Sequence, residues 1–193
     1  MTKMHLLHEL LEFNKKFVAD KQYESYTTTK SPDKKLVLLS CMDTRLTEMT
    51  IKALGLKNGD VKHLMTAGGI ISHPMGSTMR SILIAVHMLG TDEVMVMEHH
   101  DCGFGALRPG PMIEAMKKRG ISEDVIETLR FTGTDLDEWF YGYDNIYDSV
   151  RENVDKIKNH PLMPADVAVH GVVISPDNGE IELVVDGYQH TEA

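Results

Sequence analysis

Two cysteines, Cys41 and Cys102, and the histidine His99 are the residues of this chain best suited to chemistry. Two thiolates and an imidazole make a soft N/S set that suits zinc. The spacing His99-x-x-Cys102 lets one turn close two ligands on a single ion, and Cys41 lies 61 residues before Cys102. Three protein ligands leave a tetrahedral position free, the mark of a catalytic rather than a structural zinc. A metal held this way lowers the pKa of bound water to about 7 and supplies hydroxide at neutral pH. His100 is the rival ligand and would complete a closed set of two cysteines and two histidines. Adjacent residues of an extended chain point to opposite faces, which favours His99 over His100. The bland alternative makes both cysteines buried small hydrophobes, as free cysteines often are.

Asp43 and Arg45 stand two and four residues after Cys41. An Asp-x-Arg pair is ordinarily a solvated surface pair, but this one directly follows a proposed ligand. A carboxylate held ionised by a guanidinium fork only accepts hydrogen bonds. Facing a zinc-bound hydroxide, Asp43 would take its O–H proton and orient its lone pair at the substrate. Gly68-Gly69 suggests a phosphate cradle, yet a nucleotide loop needs a fuller glycine fingerprint straight after the first strand. Cys41-Met-Asp43 occupies that place, so close backbone approach to the metal pocket is the better use of Gly68. Turnover also needs a proton to leave, and His63, His73 and His100 are candidate shuttles by chain position. Met42, Met65, Met95 and Met97 lie near the site and serve as adaptable core filler.

The elements that must position these residues are read from apolar periodicity. Leu6, Leu7, Leu10, Leu11, Phe13 and Phe17 form the stripe of an amphipathic helix. Leu36–Cys41 is a continuous apolar run, a buried strand; helix over Thr44–Leu54 and a strand over Val61–Thr66 follow. A helix over Ser77–Leu89 ends at Gly90, and Glu93–His99 is the third strand. Helical stretches follow at Met112–Arg119, Ser122–Arg130 and Asp144–Asn159. A closing hairpin joins Val167–Ser175 to Glu180–Asp186 through Pro-Asp-Asn-Gly. Strands alternating with helices imply an α/β fold with a mainly parallel sheet, only the last strand being antiparallel. Sites in such sheets lie outside the carboxyl ends of the strands. Cys41, the Ala67-Gly68-Gly69 turn, and His99 with Cys102 end the first three strands, so they share one rim.

The 193 residues make one domain, 1–193, with residues 1–25 as an N-terminal helical arm. Two cysteines are too few for a disulfide framework or a four-cysteine zinc site. A net charge of −9 with no basic run argues against nucleic acid. The N-terminus lacks the unbroken apolar stretch of a signal peptide, and no window approaches the ~20 apolar residues of a membrane span. The expectation is a soluble, acidic, cytoplasmic enzyme or binding domain without nucleic-acid or membrane partners.

Cys41-Met-Asp43-Thr-Arg45 followed by His99-His-Asp-Cys102-Gly103 resembles the signature of the β-class carbonic anhydrases, Cys-x-Asp-x-Arg then His-x-x-Cys-Gly. The resemblance extends through Gly55–Asp60, Ala67-Gly68-Gly69, Leu89-Gly90-Thr91 and the closing hairpin. It implies one zinc ion per chain on Cys41, His99 and Cys102, Asp43 and Arg45 as the catalytic dyad, and Ala67, Gly68, Gly69 and Gly103 around the substrate. It also implies reversible hydration of carbon dioxide to bicarbonate. In that family the N-terminal helix packs across a partner subunit, which implies a homodimer or a dimer-based oligomer here. The family's glycine turn commonly reads Asn-Ala-Gly-Asn after an Arg, whereas this chain has Met65-Thr66-Ala67-Gly68-Gly69. The stretch Gly103–Tyr143, with Pro109-Gly110-Pro111 and Trp139, is also unlike the usual pattern. These departures keep two alternatives open: a zinc-binding member without useful turnover, and hydrolysis of carbon disulfide or carbonyl sulfide.

Overall fold

The computed structural model describes residues 5–190, in two units: the chain through Lys30, and the chain from Ser31 onward. In the first unit α1 spans Leu6–Ala19, slightly longer than its apolar stripe, and none of its residues is buried. A 3-10 turn over Gln22–Tyr26 follows it.

The second unit holds β1 (Leu36–Cys41), α2 (Met49–Ala53), β2 (Val61–Thr66), α3 (Ser77–Leu89) and β3 (Glu93–His99). Then come α4 (Pro109–Lys118), α5 (Glu123–Phe131), α6 (Leu136–Trp139), α7 (Ile146–Lys158), β4 (Ala168–Ile174) and β5 (Ile181–Val185). The five strands lie in the order β2-β1-β3-β4-β5, and all pair in parallel except β5, which is antiparallel to β4. This is the α/β class expected from the alternating elements. Among the described residues no helix is long and apolar enough to cross a membrane.

The period of two along the strands divides the core between the sheet's faces. Val37, Leu39, Val94, Val96 and Val169 pack with Met79 and Ile82 of α3 and Val154 and Ile157 of α7. Leu38, Met97, Val172 and Ile174 instead pack with Cys41 and Leu46, against Met49 and Ile51 of α2. Both faces of the central strands are therefore covered, which is why they read as unbroken apolar runs. The approach of α7 to β4 is close: a Cβ on Gly171 would lie 2.5 Å from Val150 Cγ1. Asn145 caps α7 by accepting from the N–H groups of Tyr147 and Asp148 at 2.9 and 3.2 Å, so the helix starts after Asp144.

Two stretches depart from expectation. The helix anticipated over Thr44–Leu54 is divided into a 3-10 turn, Thr44–Leu46, and the short α2. Asp43 accepts from the N–H of Arg45 at 2.9 Å, and this tight cap takes over the turn that would have begun one longer helix. The helix α6 has too short an apolar pattern to be read from sequence. Its Asp135 cap accepts from Glu138 N–H at 2.9 Å, and Leu136 joins Ile113 of α4 and Ile126 of α5 in a separate small cluster.

Candidate metal centre

Cys41 is the last residue of β1 and His99 the last of β3, and the two strands are adjacent and parallel, with Ser40 opposite Met97. The chain then turns sharply through Asp101, whose φ of 54° is left-handed, and this brings Cys102 back toward the sheet. One ligand atom from each of Cys41, His99 and Cys102 lies within 4.8 Å of the others. The sulfurs are 3.9 Å apart. Two thiolates on a tetrahedral zinc, each at ~2.3 Å, would stand ~3.8 Å apart, so the pair already has the span the ion requires.

His99 is wholly buried. Its Nδ1 donates to the carbonyl of His100 at 2.8 Å, and its Nε2 is buried with no hydrogen-bond partner. An imidazole fixed by one nitrogen, with the other left without a partner near the two sulfurs, is free to serve as a metal ligand. His100 points the other way: its Nε2 lies 2.8 Å from Glu182 Oε1. His100, the first residue beyond β3, is thus engaged with β5 and not with the cysteines.

Electrostatics in the cluster follow from the sulfur pair. The contact with Cys102, helped by burial, pushes the Cys41 thiol up, while the N–H groups of Asp43 and Gly68 favour its thiolate. The same contact with Cys41 pulls Cys102 down, burial opposes this, and His99 and the N–H of Gly105 add to the lowering. The contact therefore splits the pair, with Cys102 the more acidic of the two thiols. Burial pulls His99 down, but the Cys102 sulfur outweighs it and the net shift is upward.

Asp43 sits beside the cluster, its Oδ2 3.9 Å from His99 Nε2. Arg45 grips it from three nitrogens: backbone N to Oδ1 at 2.9 Å, Nε to Oδ1 at 3.0 Å and Nη2 to Oδ2 at 2.9 Å. These bonds pull the Asp43 carboxyl down to about 2. Arg45 is held in turn by Asp101, through its side chain to Nη1 at 2.9 Å and its carbonyl to Nη2 at 3.0 Å. Asp101, the second of the two residues inside His-x-x-Cys, thus anchors the arginine of Cys-x-Asp-x-Arg.

Of the glycine-turn residues, Gly68 and Gly69 are buried and Ala67 is exposed. Gly69, at φ 71°, lies so close to both ligand strands that a Cβ would come within 3.0 Å of Met97 O and 3.1 Å of Cys41 N. Gly68, at φ 77°, faces the ring of Phe104, whose Cδ1 would be 2.5 Å from a Cβ. Gly103 is exposed and faces open space. The three candidate shuttles are engaged elsewhere: His63 Nε2 with Ser40 Oγ at 2.7 Å, His73 Nδ1 with Met75 N–H at 3.0 Å, and His100 with Glu182.

Sequence reasoning missed Asp101, Phe104, Gly105, Tyr143 and Glu98. Gly105, two residues beyond the motif's own glycine, was the only local signal. Glu98 is fully buried next to His99; Ser149 Oγ and Asn153 Nδ2 donate to its Oε1 at 2.9 and 3.2 Å. Burial pushes its carboxyl up to about 8, against those two bonds. Asn153 also accepts from Ile71 N–H at 2.7 Å, which ties α7 to the chain just beyond Gly69. A cavity of about 900 Å³ opens behind this network, with Phe104, Tyr143, Ser149 and Asn153 in its wall.

Residues 36–181 match the family model described as carbonic anhydrase. The chain is 51% identical over 187 residues to the carbonic anhydrase-like protein YtiB of Bacillus subtilis, covering 97% of this chain and 100% of the relative. It is 26% identical over 157 residues to a carbon disulfide hydrolase of Acidithiobacillus thiooxidans, covering 77% of this chain and 76% of that one. Among solved structures, it is similar to β-carbonic anhydrase isoform I of Trichomonas vaginalis, with a TM-score of 0.88 and 27% identity over 96% of this chain and 100% of that one.

Proposed function

The chain belongs to the β-carbonic anhydrase family, and from that premise we propose that it is a zinc enzyme catalysing reversible hydration of carbon dioxide to bicarbonate and a proton. The observation that carries this reading is the Cys41–His99–Cys102 cluster within 4.8 Å, with the Asp43 carboxylate 3.9 Å from His99 Nε2. Zinc on those three ligands would supply Lewis-acid chemistry that makes water a nucleophile near neutral pH.

The chain's own residues do the rest. Asp43, kept ionised by Arg45, can only accept hydrogen bonds. A water entering beside His99 must therefore turn an O–H toward Asp43, which aims its lone pair away from the carboxylate and at the substrate carbon. Arg45 takes Oδ1 twice and Oδ2 once, which leaves one acceptor direction, on Oδ2, for the water's O–H. Asp101 holds Arg45 from behind, so the carboxylate keeps one orientation. Gly68, Gly69, Ala67 and Gly103 form the wall against which a small linear substrate lies. The uncovered helix α1 supports a second copy of the chain as the partner, in a homodimer.

Stopped-flow hydration of carbon dioxide, followed with a pH indicator, tests the proposal. The zinc-loaded protein is expected to accelerate the reaction; a folded, zinc-loaded protein with no rate above buffer from pH 7 to 9 overturns it. The carbon disulfide hydrolases among its relatives favour one second reading, hydrolysis of carbon disulfide or carbonyl sulfide. Consumption of carbon disulfide with release of hydrogen sulfide, in place of carbon dioxide hydration, would establish that reading instead.

A further inference from the structure

Each cysteine sulfur has a glycine N–H beside it, and each of those glycines is covered by an aromatic ring. Gly68 serves Cys41 and lies under Phe104; Gly105 serves Cys102 and lies under Tyr143. A Cβ on Gly105 would fall 2.6 Å from Tyr143 Cε2 and 3.0 Å from its hydroxyl oxygen, so ring and turn are in direct contact. The two rings are neighbours, with centroids 6.4 Å apart, and both stand in the wall of the 900 Å³ cavity.

Tyr143 is pinned from its backbone. Gly142 N–H donates to Leu107 O at 3.0 Å and Tyr143 N–H to Gly105 O at 3.3 Å. At Gly142 a Cβ would strike the carbonyl of Phe104, 2.2 Å away, so the two loops lie backbone on backbone. The hydroxyl that this packing delivers is buried and makes no hydrogen bond. A buried phenol without an acceptor is rare because its lost hydration goes uncompensated. The charged groups that act on it are Cys102, then Glu98, then Cys41; with burial as the leading cause, they push it above the usual phenol range. Glu98 Oε2 is also buried without a hydrogen-bond partner, but the hydroxyl oxygen of Tyr143 lies against Gly105, in the turn that follows Cys102.

We propose that Tyr143 is a positioning residue of the metal centre, its hydroxyl donating a hydrogen bond to the Cys102 sulfur. A neutral donor on a ligating thiolate fixes the direction of its lone pairs and draws charge from the sulfur. The metal is left the stronger Lewis acid. The inference rests on Cys41, His99 and Cys102 being the ligands, so its test reads that assumption separately.

Cobalt(II) in place of zinc gives a sulfur-to-metal charge-transfer band whose energy reports charge on the thiolates. In Tyr143→Phe the band should move to lower energy, and zinc affinity measured against a chelator should fall about tenfold. Tyr141→Phe, whose hydroxyl bonds to Asp144 at 3.0 Å, should leave both unchanged. Incorporating 3-fluorotyrosine at position 143, a stronger donor, should move the band the other way and covers the case of a poorly folding phenylalanine variant. A band present in the wild type and unmoved by either change overturns the inference alone. A wild-type protein without the band overturns the ligand assignment and the inference with it.

Discussion

Replacing Gly69 with alanine would drive a methyl group between the two strands that carry the candidate ligands Cys41 and His99. The added carbon would sit 3.0 Å from Met97 O, 3.1 Å from Cys41 N and 3.1 Å from Ser40 C. All three are backbone atoms of central strands, so no flexible side chain can swing aside. Two costs combine. An alanine held at φ 71° adopts the left-handed conformation, worth ~1–2 kcal/mol. Wedging the strands apart adds overpacking of ~1–3 kcal/mol. The sum is a loss of roughly 2–5 kcal/mol. Gly55→Ala isolates the first cost, because Gly55 has φ 65° but nothing within 4 Å of its Cβ position. Urea denaturation followed by circular dichroism, at equal protein concentration and with chelator present to remove metal linkage, measures both variants. Gly69→Ala should be the less stable by the overpacking term, and it should also weaken metal binding through the shifted Cys41. Equal losses in the two variants would refute the claim that Gly69 is a close-approach position.

Two further tests concern ionisation and the ligands. Glu98 titrates near 8 in the fold, against about 4.5 unperturbed. A raised carboxyl binds more protons folded than unfolded between those values, so its contribution to stability is greatest below pH 4.5 and falls as pH rises toward 8. Glu98→Gln removes this slope; relative to wild type it should gain on the order of 3 kcal/mol between pH 4.5 and 7, read from urea unfolding at both pH values, and parallel curves would count against it. Cys41→Ser and Cys102→Ser should each lose stoichiometric zinc by elemental analysis. Asp43→Ala should retain the metal and lose on the order of 100-fold or more in hydration rate; full zinc retention in both cysteine variants would remove the basis of the site.

The local spacing of residues settled what local spacing can settle. The apolar residues running through Leu36–Cys41 and Glu93–His99 marked two strands because burial on both faces favours apolar side chains at successive positions. Their ends placed Cys41 and His99 on one rim, since parallel neighbours finish at the same edge of a sheet. Asp43 and Arg45 are two residues apart, so their pairing is a property of one turn. Where tight local hydrogen bonding competed with helix periodicity, as Asp43 does at Thr44–Leu54, the pattern misled. The remaining features join distant parts of the chain. The 3.9 Å approach of the two sulfurs, the grip of Asp101 on Arg45 across 56 residues, and Ser149 and Asn153 on Glu98 leave no mark in any short window. The same holds for Phe104 and Tyr143. Each covers a glycine whose missing Cβ leaves room for the ring, and whether that room exists depends on how two loops pack. The types and order of the candidate ligands were thus legible from the chain, while the shell around them belongs to the tertiary structure, because its contacts join residues remote in sequence.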